Sequence, residues 1–121
     1  MPKILVVDDE PEMVDILTIL LKNAGYNVSK AYSGTECLTR VEKEKFDLIL
    51  LDIRMPKMDG WETLRRMKKK NLVDGTKVII LTIEKGPGVE IFGLQDVVND
   101  YLTKPFEKEK LLKSIKDAIQ K

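Results

Sequence analysis

LILLDIRMPKMDG, the stretch from Leu48 to Gly60, sets four unbroken apolar residues against an abrupt change to charge, proline and glycine. Leu48 to Leu51 do not alternate with polar residues, so the strand they form is covered on both faces. The run stops at a carboxylate, Asp52, and Gly60 opens a helical pattern marked by Trp61, Leu64 and Met67. A buried strand that ends in a charged residue and turns into a helix is half of a βαβ unit.

Outward from that stretch the same alternation repeats. Further apolar runs occur at Ile4 to Val7, Val28 to Tyr32, Val78 to Leu81 and Tyr101-Leu102. Between them, Met13, Ile16, Leu17, Leu20, Leu21 and Ala24 recur at three- and four-residue spacing and stop at Gly25, with Pro11 near the first turn. Ser33 with Glu36 reads as a capping box opening a helix through Cys37, Leu38 and Val41. Leu111, Leu112, Ile115, Ala118 and Ile119 mark the last helix. Between Glu84 and Val98, Gly86-Pro87-Gly88 precedes Val89, Ile91, Phe92 and Leu94, which suggests a loop and a short helix. Strands alternating with helices imply right-handed crossovers and a parallel sheet.

The 121 residues suit one domain, expected to span residues 1–121, and 43% hydrophobic with 34% charged residues is a globular composition. A net charge of +1 draws the chain to neither nucleic acid nor membrane, so neither is expected as a direct partner. The lysine runs at Lys68 to Lys70 and Lys108 to Lys113 alternate with apolar residues and read as solvated helix faces. One cysteine, Cys37, excludes an internal disulfide, and the absence of histidine excludes imidazole catalysis and His–metal sites. Cys37 is expected to pack a helix face. Met1-Pro2-Lys3 runs straight into the first strand, the wrong pattern for a secretion signal, and no apolar run reaches membrane-spanning length; a cytoplasmic location is expected.

In open α/β sheets, ligands bind at the carboxyl ends of the strands. The first strand leads to Asp8, Asp9 and Glu10, the third to Asp52, the fourth to Thr82 and the fifth to Thr103-Lys104-Pro105. Each has an ordinary reading: helix capping for Asp8 to Glu10, a turn for Asp52, packing for Thr82, a surface position for Lys104. Their joint placement at successive strand ends carries the functional reading. Two carboxylates about 4 Å apart repel by roughly 4 kcal/mol at an effective dielectric near 20. Asp8, Asp9 and Asp52 together therefore call for a hard divalent cation with oxygen ligands, and Mg²⁺ fits. With Lys104 as fixed positive charge and Thr82 as hydroxyl donor, the set suits phosphoryl transfer onto Asp52.

ILVVDDE at the start, LILLDIRMPKMDG in the middle and DYLTKPF near the end make the chain resemble the receiver domains of two-component response regulators over essentially its whole length. The resemblance implies a doubly wound α/β fold of the flavodoxin-like type. Its parallel five-stranded sheet would run in the order 2-1-3-4-5 and be flanked by five helices in three layers. It implies that Asp52 is the phosphoacceptor, with transfer chemistry carried by Asp52, Thr82 and Lys104. Mg²⁺ would be bound by Asp9 directly, Asp8 largely through water, Asp52, and the backbone carbonyl of Arg54. The Lys104–Pro105 peptide would be cis. Thr82 and Tyr101 would act as the switch pair, coupling the site to a face formed by the fourth helix, fifth strand and fifth helix. The partners would be a sensor histidine kinase and a downstream protein at that face, with the chain a monomer or a phosphorylation-dependent dimer. Such a domain catalyses only its own phosphorylation and dephosphorylation, so it is a switch rather than an enzyme acting on a separate substrate.

Three departures from the family pattern bear on function. The position after the switch threonine, usually small, is Ile83, expected to hinder access to Asp52. Val97-Val98-Asn99 and Gly86-Pro87-Gly88 replace the usual sequences around the fourth helix, and with Ile91 and Phe92 they make the output face apolar; these groups either pack inward or meet a partner. Arg54 and Glu84, two residues beyond Asp52 and Thr82, would pair across the mouth and prolong the phosphorylated state. Trp61 is expected partly exposed near the site. Among rivals, a haloacid dehalogenase phosphatase wants an acid where Arg54 stands, and a flavodoxin-like cofactor domain wants a phosphate loop where Asp8-Asp9-Glu10 would repel phosphate. A degenerate receiver serving as a phosphorylation-independent binding module is the remaining alternative.

Overall fold

The computed structural model describes residues 1–120; Lys121, the last residue of the expected domain, lies outside them. Strands β1 (Lys3–Val7), β2 (Asn27–Ala31), β3 (Leu48–Leu51), β4 (Lys77–Thr82) and β5 (Asp100–Thr103) alternate with helices α1 (Pro11–Asn23), α2 (Gly34–Lys43), α3 (Gly60–Lys69) and α4 (Lys108–Gln120). A 3₁₀ turn, Val89–Ile91, stands between β4 and β5. The sheet is parallel throughout and ordered β2-β1-β3-β4-β5.

The two-residue period of the strands distributes the core. Ile4, Val6, Leu48, Leu50, Ile79 and Leu81 pack against Val14, Leu17 and Leu21 of α1 and Leu111, Ile115 and Ala118 of α4. The intervening Leu5, Val7, Ile49, Leu51, Val78 and Ile80 pack against Cys37 and Val41 of α2 and Trp61, Leu64 and Met67 of α3. Both faces being covered is why the strand runs do not alternate, and each buried aliphatic side chain contributes about 2 kcal/mol. The helix starts are set locally. Ser33 Oγ accepts from the Glu36 amide at 3.1 Å while Glu36 Oε1 accepts from the Tyr32 amide at 3.0 Å, and Asp59 Oδ1 accepts from the Glu62 amide at 2.8 Å.

Four sequence expectations need correction. There are four α-helices among the described residues, not five. Gly86 and Gly93 take positive φ (84° and 86°) and Pro87 stands between Gly86 and Gly88, so the Glu84–Val98 stretch holds only a loop and the 3₁₀ turn. Trp61 is buried, 4% exposed, and packs in the core beside α2 and β3, where Gly60 brings the start of α3 against the backbone of Asp52 and Ile53. The buried face of α1 is Val14, Leu17, Thr18 and Leu21, whereas Ile16 is exposed; the apolar spacing marks a stripe wider than the one the sheet covers. Arg54 and Glu84 are both exposed, and no ion pair joins them among the described residues. Cys37 is buried with Sγ 4.0 Å from Met67 Sδ, and burial pushes its thiol up to about 12, which makes it a packing residue. No helix among the described residues is long and apolar enough to cross a membrane.

Candidate functional site

Strand register brings the charged residues to one rim. Val7 pairs with Leu51 and Leu51 with Ile80, so Asp8 and Asp52 leave the sheet at the same level, with Thr82 two residues beyond Ile80 on β4. Thr82 is in register with Thr103, and the Lys104 amide donates to the Thr82 carbonyl at 2.7 Å, which fixes Lys104 over the ends of the central strands. The Asp8 amide donates to the Ala31 carbonyl and the Asp52 amide to the Val7 carbonyl, so both carboxylates are carried by backbone already tied into the sheet.

Lys104 Nζ lies 2.6 Å from Asp8 Oδ2 and 3.2 Å from Asp52 Oδ2, with Glu10 Oε1 farther away at 3.8 Å. Asp8 and Asp52 are buried, as is most of the Lys104 side chain. Burial pushes the Asp52 carboxyl above its ordinary value; the Lys104 charge opposes this, the Asp8 charge adds to it, and the Arg54 amide, donating to Asp52 Oδ1 at 3.2 Å, draws it back. The Thr82 hydroxyl is close enough to favour the carboxylate too, yet it is fully buried and makes no hydrogen bond of ordinary geometry among the described residues. For Lys104, burial favours the neutral amine, but the hydrogen bond it donates to Asp8 and the charges of Asp52 and Asp8 outweigh it and hold the ammonium above its ordinary value. One ammonium therefore balances two buried carboxylates, and the net charge of the three groups is negative.

Asp9 completes the cluster. Asp8, Asp9 and Asp52 each offer a carboxylate oxygen, and these atoms all lie within 4.8 Å of one another. Three hard oxygen donors with excess negative charge fit a Mg²⁺ ion, and the unpartnered Thr82 hydroxyl leaves a donor free for a further anionic oxygen. Arg54 offers its amide to Asp52 while its side chain points to solvent. The Lys104–Pro105 peptide is cis. Ile83, the residue after Thr82, is 54% exposed.

Two contacts lie beyond what the sequence showed. A methyl group at Gly60 would sit 2.4 Å from the Asp52 carbonyl oxygen and 2.8 Å from Ile53 Cα, so only glycine lets α3 begin this close under Asp52. The motif marks the glycine as a loop residue, but its spatial neighbour is invisible without the fold. The Tyr101 hydroxyl is shared between the carbonyls of Glu84 (3.0 Å) and Gly86 (3.1 Å). Burial, with Glu84, Asp52 and Glu90 nearby, raises its pKa, so it remains a donor that ties β5 to the loop after Thr82.

Comparison with known proteins agrees with this geometry. The sequence profile of the response regulator receiver domain matches residues 4–116. The chain is 35% identical over 119 residues to the regulatory protein VanRc of Enterococcus gallinarum, covering 98% of this chain and 50% of that one. It is 36% identical over 119 residues to the alkaline phosphatase synthesis transcriptional regulatory protein PhoP of Bacillus subtilis, covering 98% and 49%. The chain thus spans about half the length of the curated relatives it matches. Among solved structures, the chemotaxis protein CheY4 of Vibrio cholerae superposes with a TM-score of 0.88 at 33% identity, covering 98% of both chains. The response regulator TrrA of Thermotoga maritima, in complex with Mg²⁺-BeF, gives 0.86 at 31% identity, covering 98% of this chain and 99% of that one.

Proposed function

The chain belongs to the response regulator receiver domain family of two-component signalling, and from that premise we propose that Asp52 accepts a phosphoryl group from the phosphohistidine of a sensor kinase. The observation that carries this is the Lys104 ammonium held between Asp8 and Asp52, near a buried Thr82 hydroxyl that makes no hydrogen bond of ordinary geometry among the described residues.

In this reading an Asp52 carboxylate oxygen attacks phosphorus, forming an acyl phosphate as the nitrogen–phosphorus bond of the donor breaks and its electron pair returns to the imidazole. Lys104, fixed by its backbone bond to Thr82, neutralises charge on the incoming phosphoryl oxygens. The Thr82 hydroxyl donates to one of them, satisfying a group otherwise left unpaired. Bound Mg²⁺ would neutralise the carboxylates and the phosphoryl oxygens, held by Asp8, Asp9 and Asp52, with the backbone carbonyl of Arg54 as the remaining protein ligand. Movement of Thr82 reaches Tyr101 through the Glu84–Gly86 loop and so alters the surface at β5, where a downstream protein is read. A cytoplasmic location belongs to the same reading. The chain catalyses only its own phosphorylation and dephosphorylation.

The test is intact-protein mass after incubation with acetyl phosphate and Mg²⁺, with Asp52→Ala in parallel. One phosphoryl group gained by the unmutated chain alone, and only with metal, is expected. Metal binding with no phosphoryl gain, also after Ile83→Ala, would reject the switch in favour of a phosphorylation-independent binding module.

A further inference from the structure

Helix α3 carries one acid, Glu62, against four basic residues, Arg65, Arg66, Lys68 and Lys69. With its inner face buried through Trp61, Leu64 and Met67, Arg65, Lys68 and Lys69 stand at i, i+3 and i+4 along one outer edge. That edge borders an open groove of about 380 Å³, lined by these three residues with Phe92, Gly93 and Leu94. Leu94 is buried and belongs to the core, whereas Phe92 is 68% exposed and Val89, at the start of the 3₁₀ turn, 74%.

The backbone that carries the exposed ring is tethered to α3. Arg65 Nη2 donates to the Glu90 carbonyl at 3.1 Å and Lys68 Nζ to the Gly93 carbonyl at 2.6 Å, so the chain on both sides of Phe92 is fastened to α3. Lys68 also pairs with Asp96, and Arg65 lies 3.9 Å from Glu62. Lys69 meets no acid among the described residues. Glu90, the acid of the 3₁₀ turn, folds its carboxylate back over Gly88. The groove therefore combines a solvent-facing aromatic ring on a tethered backbone with a cationic rim that the described acids leave partly unbalanced. A large apolar side chain anchored by a rigid backbone beside unpaired charge is the pattern of a binding hot spot.

We propose that this groove docks an acidic amphipathic segment of a partner protein, whose apolar side chain covers Phe92 while its carboxylates meet Lys69 and Arg65. Charge complementarity selects the occupant: the rim disfavours a basic partner, and the ring adds nothing to an acidic segment without apolar residues. The proposal stands apart from the phosphoryl chemistry, because none of these residues belongs to the Asp52 site.

Fluorescence anisotropy tests it with labelled helical peptides of about 14 residues built from Glu and Leu, from Lys and Leu, and from Glu and Ser. The Glu–Leu probe is expected to bind the unmutated chain and Asp52→Ala equally and to weaken as salt rises. Phe92→Ser should weaken it at least tenfold and Lys69→Glu at least threefold, while Lys69→Arg retains binding and circular dichroism shows each variant folded. No binding of the Glu–Leu probe overturns the proposal, as does binding untouched by both Phe92→Ser and Lys69→Glu, or equal binding of the Glu–Ser probe. Concentration-dependent dimers in sedimentation that Phe92→Ser abolishes would also overturn it, assigning the groove to a second copy of the chain.

Discussion

Asp52 sits in conflict with its surroundings, since burial and the Asp8 charge disfavour the carboxylate that phosphoryl transfer needs. A carboxyl raised above its ordinary value of 3.8 binds its proton more tightly in the folded than in the unfolded chain. Its contribution to stability therefore falls as pH rises through the unfolded value toward the folded one, and stays lost above both. Asp52→Asn removes that loss while leaving Lys104 paired with Asp8. Without Mg²⁺, it should stabilise the fold at neutral pH by on the order of 1 kcal/mol. In denaturant titrations the difference from the unmutated chain should widen as pH rises above the ordinary value of 3.8. A constant difference would show that the Asp52 charge is not strained. Ile83 belongs to the same scale. Large, half-exposed and next to Thr82, it is expected to slow small donors, so Ile83→Ala should raise the initial rate of acetyl phosphate transfer severalfold in the intact-mass assay.

Among the elements, the link from β3 to α3 carries the most constraint. Gly60 is not in the left-handed region; what requires glycine is the lack of room against the Asp52 carbonyl and Ile53 Cα, both backbone atoms that no rotamer change can move. Gly60→Ala should cost about 3 kcal/mol in chemical denaturation and depress phosphoryl transfer as well, because the displaced backbone is that of Asp52. The three central strands were legible because their apolar runs are continuous and end at polar groups, a direct record of burial on both faces, whereas the strand order came from the family resemblance and the edge strands β2 and β5 are only partly covered. The missing fourth helix was half legible: Gly86, Pro87, Gly88 and Gly93 announce a break, while the family likeness alone suggests a helix. Trp61 and the face of α1 were not legible, since a helix's apolar spacing does not say which part of a wide stripe the sheet will cover. Likewise, the site's residues could be read off the strand ends, but not that Lys104 bonds Asp8 more closely than Asp52, nor that Tyr101 is tied to the Glu84–Gly86 loop.

At the scale of the whole molecule, the fold holds a net negative cluster at one end of its sheet with one lysine as counter-charge, and a cation should stabilise it. Mg²⁺ at about a hundredfold excess over its Kd should add about 2.7 kcal/mol, a Tm rise of roughly 10 °C, and Asp9→Asn should abolish most of it. A rise of equal size in Asp9→Asn would place the ion elsewhere. The central claim, that Asp52 and no neighbouring carboxylate receives the phosphoryl group, is tested most directly by reductive trapping. After acetyl phosphate and Mg²⁺, borohydride converts a phosphoaspartyl residue to homoserine, and trypsin separates Phe46–Arg54, which contains Asp52, from Ile4–Lys22, which contains Asp8 and Asp9. Homoserine at position 52 alone is the predicted result; homoserine at Asp8, Asp9 or Asp47, or at no residue, would contradict the account.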